Sequence, residues 1–152
     1  FNTEKEYFDP GDTPLNTIEI RGAKVGVMIC FDWVFPEVAR SLALQGADLL
    51  CHPSNLVLTY CQKTMLTRSL ENSVYSITAN RTGRETRPRG ELLFTGQSQI
   101  AGPMGEIVAS SNSDEEAVVI YNIDLSNARS KFITENNDLF LDRRPEFYDS
   151  IV

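Results

Sequence analysis

The sequence has few of the residues that hold disulfide-rich or zinc-dependent domains together. Its 152 residues include three Cys and a single His. The thiols at Cys30, Cys51 and Cys61 are odd in number and form no CxxC pair. This pattern favours reduced thiols and a cytoplasmic location over a disulfide framework. With one His available, we expect no structural zinc site and no other bound metal.

Positive charge and long apolar runs are also scarce. Fourteen Lys and Arg stand against 21 Asp and Glu, a net charge of -7, so the chain repels a phosphate backbone and we expect no nucleic-acid partner. The longest apolar stretches, residues 25–31 and 117–123, are far shorter than the roughly 18 residues that span a bilayer. A composition of 41% hydrophobic and 23% charged residues is typical of one globular domain.

The beginning of the sequence resembles neither an initiator segment nor a signal peptide. Phe1 opens the sequence, Met28 is the first Met, and no basic segment precedes an apolar run. We therefore expect this chain to be a piece of a longer protein.

Hydrophobic patterning predicts a βαβ unit in the first third of the chain. Residues 17–21 and 24–30 are predicted strands, the second buried on both faces because its apolar run is nearly continuous. Pro36 suits the first turn of a helix and Gly46 its end, and residues 48–51 form the next buried strand. The crossover rule then makes the last two strands parallel neighbours in one sheet.

The remaining segments continue the alternation and then become richer in strands. The predicted elements are a loop beginning at His52, a helix at 62–73, a strand at 74–79, an arginine-rich loop at 80–90, a hairpin formed by 96–101 and 106–110, a strand at 116–123, a short helix at 125–132 and a surface tail at 134–152.

Cys30 is the strongest candidate for a reactive group. It ends a predicted buried strand, and the predicted helix begins six residues later at Pro36. A strand-turn-helix junction of this kind holds a nucleophile rigidly at the sheet's carboxyl edge. Position alone also fits a small Cys packed in the core, which is the commoner case.

A family resemblance decides between these two interpretations. Residues 26–37, Gly-Val-Met-Ile-Cys-Phe-Asp-Trp-Val-Phe-Pro-Glu, resemble the nucleophile segment of the nitrilase superfamily of carbon-nitrogen hydrolases. Several further blocks resemble the family in the same order: Gly46-Ala47-Asp48, His52-Pro53-Ser54-Asn55-Leu56, Arg68-Ser69-Leu70-Glu71-Asn72, Asn80-Arg81-Thr82-Gly83, Phe94-Thr95-Gly96-Gln97-Ser98 and Pro103-Met104-Gly105.

The resemblance implies an α/β fold that is part of a four-layer αββα sandwich. It also implies a hydrolase of non-peptide carbon-nitrogen bonds that works without a cofactor, with Cys30 as the nucleophile that forms an acyl-enzyme. The backbone N–H of Phe31 would supply part of the oxyanion hole. The substrate would be a small amide or related compound, with a nitrile or an N-carbamoyl compound left open.

Two of the family's catalytic groups have no counterpart in this sequence. The family's general-base Glu and its Lys both precede the Cys, and residues 1–12 resemble the stretch just downstream of that Lys. Lys5 lies on the wrong side of this pattern. We therefore interpret residues 1–152 as one incomplete domain, the C-terminal part of a family member, which is inactive alone. The alternative is a non-catalytic fragment that serves as a binding or assembly module.

Other polar residues have functional and structural interpretations. His52 follows a strand predicted to lie beside that of Cys30, so it is a candidate base or substrate ligand, although a buried His with a backbone hydrogen bond is the commoner case. Asn55 is either a substrate ligand or a turn residue. The arginines of residues 80–90 fit an acidic substrate less well than a solvated loop. The resemblance also implies a homo-oligomer, with residues 134–152 at its interface.

Overall fold

A computed structural model describes residues 4–88, 90–148 and 151 of the chain. Its helices are α1 (Pro36–Leu44), α2 (Cys61–Asn72) and α3 (Leu125–Arg129), with 3₁₀ turns at Glu4–Glu6, Cys30–Val34 and Pro145–Phe147. Its strands are β1 (Thr17–Ile20), β2 (Ala23–Val27), β3 (Leu49–Ser54), β4 (Tyr75–Asn80), β5 (Arg84–Arg87), β6 (Gly90–Leu93), β7 (Gln99–Ala101), β8 (Ile107–Ser110), β9 (Phe132–Thr134) and β10 (Asn137–Asp138).

A mixed six-stranded sheet organises these elements, in the order β1-β2-β3-β4-β7-β8. Strands β2, β3 and β4 run parallel, so their carboxyl ends meet at one edge of the sheet. Strands β1, β7 and β8 add antiparallel neighbours on either side. The predicted α/β class, the parallel βαβ unit and the hairpin after residue 96 are confirmed.

Helix α1 packs closely on the sheet because the strand beneath it carries a glycine. Pro36 occupies the first turn of α1, and Gly46 just beyond the helix has φ +89°, a conformation that favours glycine. A Cβ atom on Gly26 of β2 would lie 3.0 Å from the Cβ of Leu42. The missing side chain therefore allows α1 to approach β2.

One face of the sheet, which we call the covered face, packs against α1 and α2. Its core is apolar, and the fully buried side chains include Met28, Leu42, Leu50 and Met65. Two buried serines in this layer are hydrogen-bonded to each other, since Ser69 of α2 donates to Ser76 of β4 over 2.8 Å. The covered face therefore forms a closed core layer.

The opposite face, which we call the open face, is apolar but largely exposed. Because side chains alternate along a strand, the neighbours of the covered-face residues lie on this side. Its exposed or half-buried members include Ile18, Ile20, Val27, Cys51, Pro53, Ile77 and Ala79, whereas Val25 and Ile100 on the same face are buried. Tyr75, near the amino ends of the parallel strands, is buried, and its hydroxyl donates to the backbone carbonyl of Asp124, just before α3.

The burial predicted for residues 24–30 on both faces is wrong for part of the run. Val25 and Val27 of β2 both lie on the open face, where Val25 is buried but Val27 is 41% exposed, because α1 and α2 pack on the opposite face. The predicted end of the strand is also wrong: β2 stops at Val27, and Cys30 begins a 3₁₀ turn. The loop predicted from His52 begins later, because β3 continues to Ser54 in register with β4.

Two further predictions in the second half are corrected. The loop predicted at 80–90 contains β5, which pairs with β6 as a hairpin tied by an Arg84–Glu91 ion pair; Arg89 lies outside the described residues. Residues 116–123, predicted as a strand, form neither helix nor strand. Val118 and Ile120 there are 89% and 84% exposed. A strand needs a hydrogen-bonded neighbour, and the described residues supply none here.

Two cations, one at the end of α3 and one just after it, attach this part of the chain to the core. Arg129 at the end of α3 donates to Asp48 over 3.0 Å, and Asp48 also accepts from the backbone N–H of Lys24. Burial by itself raises the pKa of Asp48, but these hydrogen bonds outweigh it and hold the pKa below 3.8. Lys131 donates to the carbonyls of Asn72 and Ser73 at the end of α2.

Candidate active site

Cys30 sits at a sharp backbone turn at the carboxyl edge of the sheet. The strand ladder continues one residue past β2, where the N–H of Met28 donates to the carbonyl of Cys51. Cys30 then adopts φ +45°, a left-handed conformation that costs a non-glycine residue roughly 1–2 kcal/mol. A strained residue of this kind persists only where its surroundings hold it, and such residues concentrate at functional sites.

Asp32 holds the backbone just before Cys30. One of its carboxylate oxygens accepts a hydrogen bond from the N–H of Ile29 over 2.7 Å, and its own N–H donates to the Ile29 carbonyl. Asp32 therefore forms a local structural bond with the backbone. It fixes the first half of the turn.

His52 holds the backbone just after the Cα of Cys30. Its Nε2 lies 2.8 Å from the carbonyl oxygen of Cys30, and its Nδ1 lies 3.2 Å from Oγ1 of Thr78 on β4. A carbonyl oxygen only accepts, so Nε2 must carry the proton, and the Thr78 hydroxyl donates to Nδ1. Ser54 Oγ, 2.9 Å from Nε2, completes the set.

This arrangement keeps His52 neutral. Burial lowers the pKa of His52, although the Cys30 carbonyl and the Asp32 carboxylate act in the opposite direction. Both ring nitrogens are engaged, one with a carbonyl and one with a hydroxyl. A free basic nitrogen facing the thiol is what a Cys-His pair requires. The geometry therefore fits the backbone-bonded interpretation of His52 and not that of a general base.

A pocket of about 550 Å³ lies beside Cys30. The open-face residues Pro53 and Ala79 line it, so the pocket adjoins the exposed side of the sheet. Its full lining consists of Ile29, Cys30, Pro53, Ser54, Asn55, Ala79, Asn80, Arg81, Ser98 and Ala117. The predicted candidates Cys30 and Asn55 are thus brought together, whereas His52 lies behind the pocket wall.

The polar lining residues divide into structural and available groups. Asn80 accepts from the N–H of Leu56 and donates to Thr95 and Gly96, so its amide ties the loop after β3 to the loop between β6 and β7. Ser98 bonds the backbone of Asn80 in both directions. The exposed amide of Asn55 makes no hydrogen bond with the described residues, and it is placed to contact a bound molecule.

The arginines near the pocket are occupied by protein partners. Arg81 pairs with Glu85 at 2.9 Å and stacks over the ring of Phe94 at 4.1 Å. Arg84 and Arg87 pair with Glu91 and Glu85 on the β5–β6 hairpin. This arrangement favours the solvated, ion-paired interpretation over an acidic-substrate site.

The other two thiols lie in less reactive surroundings. Cys61 is fully buried at the start of α2, where burial and the nearby Cys30 raise its pKa to about 12. Cys51 is half-buried on the open face, and burial raises its pKa. Of the three thiols, only Cys30 lines the pocket.

Sequence reasoning missed two residues of this site. Thr78 and Ser54 orient the His52 ring, and both are common residues with no motif of their own. The available signal was the pairing of β3 with β4, which places Thr78 directly beside His52. It required the extension of β3 past residue 51, and this extension was not predicted.

Comparison with known proteins places the chain in a family. The carbon-nitrogen hydrolase family profile matches residues 2–131. The chain therefore belongs to the carbon-nitrogen hydrolase family, within the nitrilase superfamily.

Among individual relatives, a protein named nitrilase from Pyrococcus abyssi is 49% identical over 148 residues, which are 97% of this chain and 55% of that protein. An N-carbamoylputrescine amidase from Solanum lycopersicum is 37% identical, covering 95% of this chain and 52% of the relative. The chain thus spans about half the length of the curated relatives it matches.

Solved structures agree with this placement. A carbon-nitrogen hydrolase from Helicobacter pylori G27 has a TM-score of 0.83 and 30% identity, covering 98% of this chain and 56% of that one. A variant of the amidase from Nesterenkonia sp. AN1 has a TM-score of 0.80 and 27% identity, covering 98% and 53% of the two chains. That structure is described as showing Michael addition of acrylamide at the active site cysteine. The predicted nitrilase-type fold is confirmed.

Among the residues that the structure describes, every helix is too short or too polar to cross a membrane. Nor do three or more His, Cys, Asp or Glu side chains gather there as a metal would need.

Proposed function

We propose that the protein to which this chain belongs hydrolyses the carbon-nitrogen bond of a small amide, with Cys30 as the nucleophile. The carrying observation is that Cys30 stands on a strained, doubly braced turn and lines a 550 Å³ pocket. Membership of the carbon-nitrogen hydrolase family supports the class of reaction.

The proposed reaction has two halves. The Cys30 sulfur attacks the amide carbon and the carbon-nitrogen bond breaks. Ammonia or an amine leaves with the proton of the thiol, and the acyl group remains on the sulfur as a thioester. Water then attacks the thioester, releases the carboxylic acid and returns the proton to the sulfur. The Phe31 N–H would stabilise the oxygen that becomes negative in each half. Asn55 would contact the substrate from the pocket rim.

We further propose that this chain alone lacks part of the catalytic machinery. The resemblance requires a Glu and a Lys upstream of the residues that match here. The pocket adjoins the open face, an apolar surface that a second layer of the sandwich would cover. A segment that covers this face would reach the pocket and bring those two groups to Cys30.

The substrate class is proposed more broadly than any single compound. Relatives carry the names nitrilase and N-carbamoylputrescine amidase. The protein-paired arginines near the pocket favour an uncharged amide or N-carbamoyl group over a carboxylate at that wall. Because one relative carries the name nitrilase, a nitrile is the third substrate class that we propose to test.

The experiment measures ammonia release from a panel of short aliphatic amides, N-carbamoyl amines and nitriles. We expect the complete protein to turn over at least one of the first two classes. Cys30→Ala should abolish turnover, whereas Cys51→Ala, at a half-buried thiol outside the pocket, should retain it. Retained activity in Cys30→Ala would overturn the assignment of the nucleophile.

The same assay tests the incompleteness of this chain. We expect the 152-residue chain alone to show no turnover and to regain it when the upstream segment is added. Full activity of the chain alone would overturn that part of the proposal. If the complete protein is inactive on all three classes while its fold is intact, the alternative of a non-catalytic binding or assembly module is favoured.

We also propose that residues 134–152 contact a second copy of the protein. Leu141 and Phe147 in this tail are strongly exposed, whereas Phe140 packs against the core and stacks with Arg40 and Lys131. The double variant Leu141→Glu and Phe147→Glu should therefore elute as a smaller species in size-exclusion chromatography without losing the fold. An unchanged elution volume of the complete protein would contradict the proposal.

A further inference from the structure

The peptide bond between Cys30 and Phe31 joins two groups that matter to the proposed reaction. Its carbonyl belongs to Cys30, and its N–H is the expected oxyanion donor of Phe31. Because a trans peptide is planar, the carbonyl and the N–H point in opposite directions, and a contact that fixes one fixes the other. The orientation of this one peptide therefore sets where the oxyanion donor points.

His52 is the side chain that holds this carbonyl. Its Nε2 lies 2.8 Å from the Cys30 oxygen, and the imidazole is 1% exposed on the covered face. Thr78 fixes the ring at Nδ1 over 3.2 Å, and Ser54 lies 2.9 Å from Nε2. A ring held by two neighbouring strands gives the carbonyl a rigid partner.

The strain at Cys30 explains why such a partner is needed. With φ +45°, the residue lies outside the conformations that a non-glycine side chain favours. Release of the carbonyl would let the peptide relax toward an ordinary turn and move the N–H of Phe31. A hydrogen bond to the carbonyl also polarises the same peptide and makes its N–H a better donor.

We propose that His52 is a positioning residue for the oxyanion hole, acting through the Cys30–Phe31 peptide and not through the thiol. The expected effect of His52 on kcat rests on the proposed function. The expected tautomer of the His52 ring follows from its hydrogen bonds alone and does not depend on that function. His52 touches neither substrate nor sulfur in this scheme. It holds the one backbone amide that must face the developing negative charge.

The first test uses the chain itself and is independent of turnover. His52 is the single histidine of the sequence, so labelling with ¹⁵N-histidine reports one imidazole. At pH 7 we expect the ¹⁵N shifts of a neutral ring protonated on Nε2. A ring protonated on Nδ1, or an imidazolium, would overturn the proposal, because neither is consistent with a single donated bond to the Cys30 carbonyl and an accepted bond from Thr78.

The second test separates positioning from folding by substitution in the complete protein. In His52→Gln the side-chain amide can still donate to the carbonyl, whereas His52→Leu fills the space without a donor. We expect kcat to fall about 10- to 100-fold in His52→Leu, less than the 10²–10³ typical of removing an oxyanion donor outright, with KM changed less than about threefold. His52→Gln should restore most of kcat.

Two controls make the kinetic result specific. Ser76→Ala removes another buried hydrogen bond from the covered face without touching the turn, and it should lower stability while leaving kcat within about twofold. Alkylation of Cys30 by iodoacetamide generates no oxyanion, so its rate should change less than about threefold in His52→Leu.

The outcomes distinguish this inference from the proposed function. Equal kcat in wild type and His52→Leu, or equal loss in His52→Leu and Ser76→Ala, would overturn the positioning role even if the enzyme is an amidase. Absence of amide turnover in the complete wild-type protein would overturn the proposed function instead. The tautomer measured in the labelled chain would then still decide whether His52 holds the Cys30 carbonyl.

Discussion

The two faces of the six-stranded sheet differ in how completely the described residues cover them. On the covered face, apolar side chains are buried under α1 and α2, and polar ones such as Thr78 and Ser76 have partners inside the core. On the open face, Ile18 and Val27 are as apolar as the core but are 55% and 41% exposed. The helices of this chain close the covered face, whereas much of the open face remains exposed to solvent.

This difference assigns the two faces different tasks in the proposed active site. The covered face supplies His52, which holds the turn that carries Cys30. The open face borders the pocket through Pro53 and Ala79. Cys30, the proposed nucleophile, is thus held from one side and exposed on the other, where the upstream Glu and Lys are proposed to lie.

The largest expected difference in stability between the two faces comes from creating a cavity in the covered face. Leu50→Ala, at a fully buried position, should lower the free energy of unfolding of this chain by about 2–5 kcal/mol. Val27→Ala on the open face should cost less than about 1 kcal/mol, because its side chain remains largely in water. Urea denaturation measures both values. Equal costs would show that the open face is covered in solution.

A charge placed on the open face tests whether that face is buried in the complete protein, because its stability cost should differ between the complete protein and this chain. Ile18→Lys should change the stability of this chain by less than about 0.5 kcal/mol, as at other exposed sites. In the complete protein the same change should cost several kcal/mol, since it places a charge in a buried layer. Glu19→Gln, the next residue on β1 and facing the other way, is the matched control and should be mild in both.

If Ile18→Lys is equally mild in both proteins, the open face stays exposed in the complete protein. That outcome would contradict the proposal that a second layer covers it.

Asp48 tests an attachment at the amino end of the parallel strands, away from Cys30. Its pKa is held below 3.8, so its contribution to stability is complete above pH 3.8 and is lost as pH falls through the lower, folded value. Asp48→Asn should cost about 1–3 kcal/mol at pH 7 and flatten acid denaturation in that range. The rate of Cys30 alkylation should be unchanged. Acid unfolding identical to wild type would contradict the account.

Protonation of His52 should have the smallest effect on stability, and this effect falls in a different pH range from that of Asp48. Burial lowers its pKa below the usual 6.5, so the folded state resists protonation, and stability is complete above pH 6.5 and declines as pH falls below it. The loss is at most about 1.4 kcal/mol per pH unit. His52→Gln should remove this slope below pH 6.5. A slope that persists in the variant must come from another group.

Sequence reasoning recovered the framework because its signals are local. Pro36 and Gly46 mark the ends of α1, and the apolar runs on either side predict parallel strands. The family motif around Cys30 singled it out as the proposed nucleophile, whereas position alone did not distinguish it from a core residue.

What sequence reasoning missed depends on contacts between distant segments. Exposure of Val27 on β2 arises because the described residues do not cover this part of the open face, and a continuous apolar run does not reveal this. The extension of β3 to Ser54 depends on pairing with β4, since Pro53 and a following Asn suggest a turn. The contact from His52 to the Cys30 carbonyl spans 22 residues and has no local signal.

The measurement that tests the central claim most directly is competitive alkylation of the folded chain. Limiting iodoacetamide at pH 8, followed by peptide mass mapping, gives separate rates for Cys30, Cys51 and Cys61. Burial raises the pKa of Cys51, and burial with the neighbouring Cys30 raises that of Cys61 to about 12, so both thiols should react slowly. We predict that Cys30, which lines the pocket, reacts fastest. If Cys51 on the open face reacts as fast as Cys30, the turn does not present a nucleophile in this chain, and the account is contradicted.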